Sequence, residues 1–426
     1  MMLKQTNKIA IIIVSLYTII QIVCLHIFGY TPYPDSNVYI TLAKECIEFN
    51  TFYPKNLTEI HFLWNIGAIN AVALSLYLFN SITPLLILYT LMQGIMAWFV
   101  FVIAQELFDN KVAYISLLLF VLYPANYGCG TSALSEVPFI FFSLLALYLA
   151  LKTHFFASGI CFAIANYARP MAIIFIVPLL IYMIYKRVSA RKYIFLFIGY
   201  YIITCTIGIS NYITKDKYFT QGAMGWMGLM QYSWDHDSNK EDDYHLFPNN
   251  DPNHISEETH YDCLQRDSVW RSHFFIWLSH NKSEYLKQMP KKIVKTYISD
   301  NVNFCTFLPN KEKREYMYEE ISMPTISKDF PNWTHVQILT VVNLAYYYAL
   351  LLLGVLGIGK LLKEKHFHSL IIPAMTIITS TALLVFVGHG EARFHQPFMS
   401  MFIILSAYFI ASTHTNVAYH SIWQKK

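Results

Sequence analysis

The constraint that governs this chain is the length of its apolar runs. A hydrocarbon core of about 30 Å is crossed by roughly 20 apolar residues of helix. Inside it no water is available to satisfy an exposed backbone, so helices are the ordinary solution. Runs that reach or approach this length occupy 9–29, 62–80, 84–107, 112–127, 134–152, 156–168, 171–186, 193–213, 334–359, 369–388 and 396–413. Composition agrees: 55% of residues are hydrophobic, 14% are charged, and the mean hydropathy is +0.38. A soluble domain carries about 25% charged residues, so this chain lacks the charge to coat a soluble surface. The expectation is an all-α polytopic membrane protein.

The charge balance excludes one class of partner. With 31 basic and 27 acidic side chains the net charge is +4, too small a surplus to point to a nucleic acid. The seven cysteines are scattered, form no C-x-x-C pair and spell no zinc or disulfide framework. The first run, Ile9 to Gly29, is too long for a signal-peptide core and reads as a retained anchor.

Basic residues orient the later spans. Lys111, Lys152, Lys186, Arg187, Arg191, Lys192, Lys360, Lys363, Lys365, Lys425 and Lys426 all fall on one side if the spans alternate from residue 84 onward. The positive-inside rule makes that side cytoplasmic. The polar segment 214–333 and the turn 388–396 then lie outside. Asn65, Asn70 and Asn80 interrupt the 62–80 run, which is expected to rest along the outer interface without spanning; the alternative, a spanning 62–80, puts the N-terminus outside and loop 30–61 inside. About ten spans follow, with both termini cytoplasmic. The chain divides into an N-terminal transmembrane module 1–213 whose first outer loop is 30–83, an extracytoplasmic loop domain 214–333, and a C-terminal transmembrane module 334–426.

Several polar groups sit where a lipid-facing surface would not place them. Tyr33, Asp35 and Tyr39 lie in PYPDSNVYITLAKE, just after the first anchor. Pro34-Asp35-Ser36 is also a turn signal, because Asp can cap its own backbone. A partly buried Asp there is a candidate general base. Glu136 opens the 134–152 helix, where Ser135 or Ser132 could cap it and the helix dipole alone would favour an acid. Arg169 stands in the hairpin turn of NYARPMA, where snorkelling is the plain alternative. The densest cluster is GHGEARFHQPF, which packs His389, Glu391, Arg393 and His395 between the last two spans. Charge at such depth is costly and usually functional, and a guanidinium fork suits a phosphate. An internal pairing of Glu391 with Arg393 or a histidine is the structural alternative.

The long loop says less. Residues 235–243 are acidic with histidines nearby, but no ligand spacing marks a metal site and a solvated loop is the simpler reading. The stretch 283–299 reads as a basic amphipathic interfacial helix interrupted by Pro290. Lys287, Lys291 and Lys295 lie on one face, and Leu286, Met289, Ile293 and Tyr297 on the other.

Taken together, these pieces resemble a family. The D-x-x-x-Y-x-x-x-A of Asp35, Tyr39 and Ala43, then LYPANYGCGTSALSEVPFIFFSLLALYLALK, GICFAIANYARPMAIIFIVPLL and E-A-R-F-H-Q-P-F, follow the order and spacing of bacterial GT-C superfamily glycosyltransferases. Protein O-mannosyltransferases and aminoarabinose lipid A transferases belong to that group. The resemblance implies a bundle of membrane helices with juxtamembrane helices in the first outer loop and a large outer loop after the seventh span. It implies a polyprenyl-phosphate-linked sugar as donor and a site on the outer face of a bacterial inner membrane. Asp35 matches the acidic catalytic position, and Glu136 an acidic or polar position at the outer helix start. Arg169 and Arg393 match basic positions that meet the lipid phosphate. Many relatives carry a paired acid in the first loop, whereas here Asp35 is followed by Ser36.

The resulting expectation is a glycosyltransferase that moves a hexosyl or pentosyl group to an acceptor hydroxyl on a protein, lipid or glycan. Asp35 and Glu136 are its catalytic acids, and Arg393, His395 and Arg169 hold the donor phosphate. Tyr33, Tyr39, His389 and Glu391 line the pocket, and no metal or other cofactor is obligatory. Two alternatives stand beside it. One is a membrane polysaccharide polymerase or ligase, for which Arg266 and Arg271 in the long loop would serve. The other is a transporter or lipid flippase, whose repeats and broken midplane helices are not evident.

Overall fold

The computed structural model describes residues 2–53, 65–220, 225–226, 229, 262–309, 321–387 and 392–423, and every regular element among them is helical. In chain order these are α1 (Met2–Phe28), α2 (Pro34–Glu48), α3 (Ile66–Phe79), α4 (Thr83–Leu107), α5 (Asn110–Leu122), α6 (Glu136–Leu151), α7 (Phe155–Ala168), α8 (Ile173–Tyr185) and α9 (Ala190–Lys215). Then follow α10 (Cys263–His280), α11 (Lys282–Tyr297), α12 (Met323–Asp329), α13 (His335–Lys363), α14 (Phe367–Phe386) and α15 (Gln396–Trp423). Short 3-10 turns η1 (Pro124–Asn126), η2 (Cys129–Thr131), η3 (Val302–Phe307) and η4 (Ala392–His395) join them at one end.

Polar contacts sort the helix ends into two groups. At one end Lys152 pairs with Glu106 at 2.5 Å, Lys111 donates to the Ala411 carbonyl at 2.7 Å, and Ser369 and Tyr408 donate to the Leu107 carbonyl and to Glu364. At the other end Gln21 donates to the Asn126 carbonyl at 2.8 Å, Ala125 N–H to Asn343 at 3.0 Å, and Arg169 meets Glu136 at 2.7 Å. Successive helices from α4 to α9, and again from α13 to α15, therefore reverse direction at each connection.

The protein is a polytopic membrane protein, but fewer helices are full-length spans than the sequence suggests. Among the described residues six are long and apolar enough to cross: Lys8–Phe28, Thr83–Leu107, Ala190–Thr214, His335–Lys363, Phe367–Phe386 and Ala392–Thr413. A seventh is counted if α5 and the segment Pro124–Thr131, bent by 69° against it, form one span. The expected crossings at α6, α7 and α8 have 16, 14 and 13 residues. At 1.5 Å per residue that is about 24, 21 and 20 Å, short of a ~30 Å core.

Local chemistry explains the shortening. A residue before proline is driven out of the α region, and Arg169, preceding Pro170, is extended at φ −151° and ψ 125°. Lys152 and Thr153 end α6, with Thr153 in the left-handed region at φ 66°. The helix α3, also short at 14 residues, begins beside Tyr39 and Ser135 through Asn65 and ends at left-handed Asn80, just before α4. Both its ends lie at the end of the bundle that carries Glu136.

The described part of the 214–333 segment packs on that same end. Tyr33 and Leu134 share a small buried cluster with Phe304, Cys305, Leu308 and Ile321. Thr31, Thr131 and Thr306 exchange hydroxyl hydrogen bonds of 3.0–3.3 Å. The helix α11 forms where expected, with Pro290 inside it. Gln288, Lys292 and Thr296 are buried while Leu286, Ile293 and Val294 are exposed. Lys287, Lys291 and Lys295 are exposed as well, so the basic face and part of the apolar face both look outward, an arrangement suited to the membrane interface.

Close backbone approach between α7 and α9 depends on two glycines. A Cβ on Gly159 would stand 2.0 Å from the Leu196 carbonyl oxygen, and one on Gly199 would stand 2.1 Å from that of Phe156. Gly359, in α13, has nothing within 4 Å of such an atom. Gly159→Ala is therefore expected to destabilise the detergent-solubilised protein by about 1–3 kcal/mol. Gly359→Ala is expected to be neutral or stabilising by up to about 1 kcal/mol. A thermal melt comparing the two checks this, and equal midpoints would refute the close crossing.

Candidate active site

Two acids and two arginines from distant parts of the chain meet at the end of the bundle described above. Arg393 Nη2 is 2.6 Å from Asp35 Oδ2, and its Nε is 4.0 Å from Glu136 Oε1. Arg169 Nη1 stands 2.7 Å from the same Glu136 oxygen. The four charges form an alternating chain: Asp35, Arg393, Glu136, Arg169. Both guanidinium groups also lie over the Phe394 ring, with Cζ at 4.9 Å for Arg169 and 5.5 Å for Arg393.

Local sequence places each member. Pro34 starts α2, its fixed φ suiting the first helical position. The helix is capped by Ser36, whose hydroxyl accepts from Tyr33 N–H at 2.8 Å and donates to the Tyr33 carbonyl at 2.9 Å. The turn reading of Pro34-Asp35-Ser36 is thus met by the serine, and the Asp35 carboxylate is left for Arg393. Ser36 stands where many relatives are expected to have a second acid, and here it does structural work. Glu136 is the first residue of α6, favoured there by the helix dipole. Ser135 does not cap that helix through its side chain. Its hydroxyl instead accepts from Arg169 Nη1 and from Asn65 Nδ2, each at 3.2 Å, and lies 3.4 Å from Glu136 Oε2. Extended Arg169 leaves the end of α7 and reaches back to α6. Arg393 comes from η4, one residue from Phe394 and two from His395.

The members differ in access. The side chains of Asp35 and Arg393 keep 14% and 15% of their surface exposed, against 7% for Glu136 and 10% for Arg169. The first pair is the more exposed of the two. Burial pushes the Asp35 carboxyl above the usual carboxylate range; Arg393 pulls it down without cancelling that effect, and Glu136 adds to the rise. A small internal cavity of about 30 Å³ lies beyond Glu136, lined by Gln93, Asn126, Cys129, Gln396 and Ser400 among others. It has room for a water or two.

The remaining expected residues fall differently. The Tyr39 hydroxyl accepts from Asn65 Nδ2 at 2.6 Å and is buried beside the cluster. Tyr33 is buried too, and its hydroxyl donates to the Val302 carbonyl at 2.7 Å. It ties the first loop to η3 rather than facing an open pocket. His395 is fully buried, with Nδ1 at 2.8 Å from the Thr296 carbonyl and Nε2 at 2.9 Å from Asp300 Oδ1. Both ring nitrogens are engaged by the protein, so neither is presented to a phosphate. His389 and Glu391 lie outside the described residues. Among the described residues no group of three or more His, Cys, Asp or Glu side chains is placed to hold a metal ion.

Sequence reasoning missed Asn65 as a link between α2 and α6, and it missed Asp300 altogether. Asn65 has a left-handed backbone at φ 37°, a conformation that asparagine tolerates. An asparagine opening an apolar run was the available signal.

Comparison with known proteins bears on this geometry. Residues 67–210 match the family model described as dolichyl-phosphate-mannose-protein mannosyltransferase, a family of the GT-C superfamily. Over that segment the chain is similar to GT-C glycosyltransferases. The match runs from α3 into α9 and includes Glu136 and Arg169, while Asp35 and Arg393 lie outside it. No curated protein matches the chain. The family and the apolar helices point to a membrane glycosyltransferase.

Removing one charge from the buried half of the cluster tests its coupling. Glu136→Ala leaves Arg169 without its carboxylate, and breaking such a buried pair costs about 3–5 kcal/mol. Lys152→Ala at the opposite end breaks an exposed pair with Glu106 and is expected to cost at most about 1 kcal/mol. Thermal melts of the two variants check the contrast, and equal losses would contradict a coupled cluster.

Proposed function

We propose that this protein transfers a sugar from a polyprenyl-phosphate donor to an acceptor hydroxyl at the extracytoplasmic face of the membrane, by inverting displacement with Asp35 as the base. The observation that carries this reading is the 2.6 Å approach of Asp35 to Arg393 at one end of a bundle of apolar helices. It joins a proton acceptor to a phosphate-binding fork at the depth where a lipid-linked phosphate lies. The basic residues at the other end, Lys111, Lys152, Arg191 and Lys192 among them, assign that end to the cytoplasm by the positive-inside rule. The site then faces outward, and both termini lie inside. The match to the dolichyl-phosphate-mannose-protein mannosyltransferase family supports a polyprenyl-phosphate donor.

In the step, the acceptor oxygen forms a bond to the anomeric carbon as the bond from that carbon to the phosphate oxygen breaks. The hydroxyl proton passes to Asp35, and the electron pair of the broken bond stays on polyprenyl phosphate. A positioned base contributes typically 10²–10⁴ in rate. Cations fixed at the leaving oxygen contribute a further few kcal/mol, because they need no reorganisation as charge develops. Arg393 takes the phosphate and Arg169 stands behind it. Glu136, expected as a second catalytic acid, is assigned here to holding the two guanidinium groups apart and oriented. His395 is assigned to the support of η4 in place of phosphate binding. Tyr39 and the unplaced His389 and Glu391 remain pocket candidates in this proposal, and no cofactor step is invoked.

The ion pair itself provides an order of events. Without donor, Arg393 neutralises Asp35. A phosphate that draws the guanidinium away removes the influence holding the carboxyl down, and burial then makes it a stronger base. The base is thus released by donor binding.

Two measurements test the reading in membranes or nanodiscs supplied with a polyprenyl-phosphate sugar and an acceptor. Asp35→Asn is expected to abolish transfer while insertion and donor binding stay near wild type; full activity would remove the base. In the wild type the transfer rate is expected to fall as pH drops through the Asp35 pKa. Since burial raises that pKa, the acid limb is expected above the ordinary carboxylate range of about 4. Separately, Arg393→Ala is expected to weaken donor binding by roughly tenfold or more, the scale of a lost charge-assisted hydrogen bond. Arg393→Lys retains part of the affinity, and equal affinity for both variants would argue against phosphate recognition.

A further inference from the structure

One buried carboxylate at the site end takes no part in the chemistry proposed above. Asp300 follows α11 and is 5% exposed. It accepts from His395 Nε2 at 2.9 Å and from the Tyr123 hydroxyl through its other oxygen, which also lies 3.4 Å from Asn343 Nδ2. Asn343 donates as well to the Asp300 carbonyl, and accepts from Ala125 N–H at 3.0 Å. Asp300 therefore joins four parts of the chain: the end of α5, its own segment after α11, the outer half of α13, and η4.

The histidine is held with unusual completeness. Its Nδ1 faces the Thr296 carbonyl and its Nε2 faces a carboxylate, both acceptors. Tyr347 stacks on the ring at 4.9 Å and Tyr297 at 6.4 Å. The ring cannot turn without losing both hydrogen bonds and that stacking. Since His395 and Arg393 share the single turn η4, fixing the first fixes the backbone that carries the second.

We infer that Asp300 is a positioning residue: through His395 it holds η4 so that Arg393 projects between Asp35 and Glu136. This rests on the reading that Arg393 receives the donor phosphate. The energetics suit the role. A buried carboxylate without a close partner is expensive to desolvate, and the several donors around Asp300 offset that cost only in one arrangement of the four segments. It also assigns a task to the membrane-proximal part of the 214–333 segment: α11 and the residues after it form the wall against which the phosphate-binding turn is braced.

The test is a binding cycle on the full-length, detergent-solubilised protein, with a short-chain polyprenyl phosphate lacking the sugar as probe. Arg393→Ala, Asp300→Asn and the double variant are compared with wild type. If Asp300 acts through Arg393, Asp300→Asn weakens binding about tenfold in the wild-type background and by less than about twofold when Arg393 is already alanine, the non-additivity of coupled sites. Equal effects of Asp300→Asn in both backgrounds, or no effect in either, overturn the inference. If Arg393→Ala itself does not weaken binding, it is the phosphate reading that fails. Should Asp300→Asn fail to fold, His395→Gln takes its place in the same cycle, with the same outcomes. A wild-type melting temperature alongside weakened binding separates positioning from general loss of structure.

Discussion

Everything at the functional end depends on a mutual constraint among charges withdrawn from water. No one of Asp35, Glu136, Arg169 and Arg393 is affordable alone at the edge of a bilayer; each is stable there because an opposite charge stands within a few ångströms. Desolvation makes the group of four all-or-none in a way that surface ion pairs are not. The helices that bring them together (α2, α6, the end of α7 and η4) are therefore fixed relative to one another by electrostatics as well as by packing. The apolar core beneath supplies the depth, and the ion pairs select the arrangement.

The charged members of the candidate site were legible in the chain because membranes simplify the reading. In a soluble protein an Asp in a turn or an Arg before a proline passes unnoticed. Beside long apolar runs, the same residues have few structural reasons to exist. Asp35, Glu136, Arg169 and Arg393 stood out on that ground, and the structure brings all four together. What could not be read was how each neighbour spends its hydrogen bonds. His395 looked as available as Arg393, yet the Thr296 carbonyl and Asp300 occupy both its nitrogens. Asp300 itself was hidden in a long polar stretch where acids are unremarkable. Asn343, which anchors it, sits inside a run read only for its hydropathy.

The fold was legible in class and less so in measure. Hydropathy located the helices but overstated the spans, because a run of apolar residues continues through a turn that a proline or a left-handed residue imposes. The shortness of α6, α7 and α8 was encoded in Arg169-Pro170 and in the break at Lys152-Thr153, signals weaker than the surrounding apolarity. The helix α11 was legible as amphipathic but not in the strip it buries: Gln288, Lys292 and Thr296, between its basic and apolar faces, turn inward. Near a bilayer, outward is as hospitable to an apolar side chain as inward, so amphipathicity alone does not say which face is buried.

The position of Arg393 has an electrical consequence. In the proposed transfer a carboxylate loses its negative charge as it takes the proton, while the departing phosphate gains one. The sum is unchanged. Because the guanidinium has by then left the carboxylate for the phosphate, the cation already stands where the negative charge arrives, and the surrounding low-dielectric protein has little polarisation to rearrange.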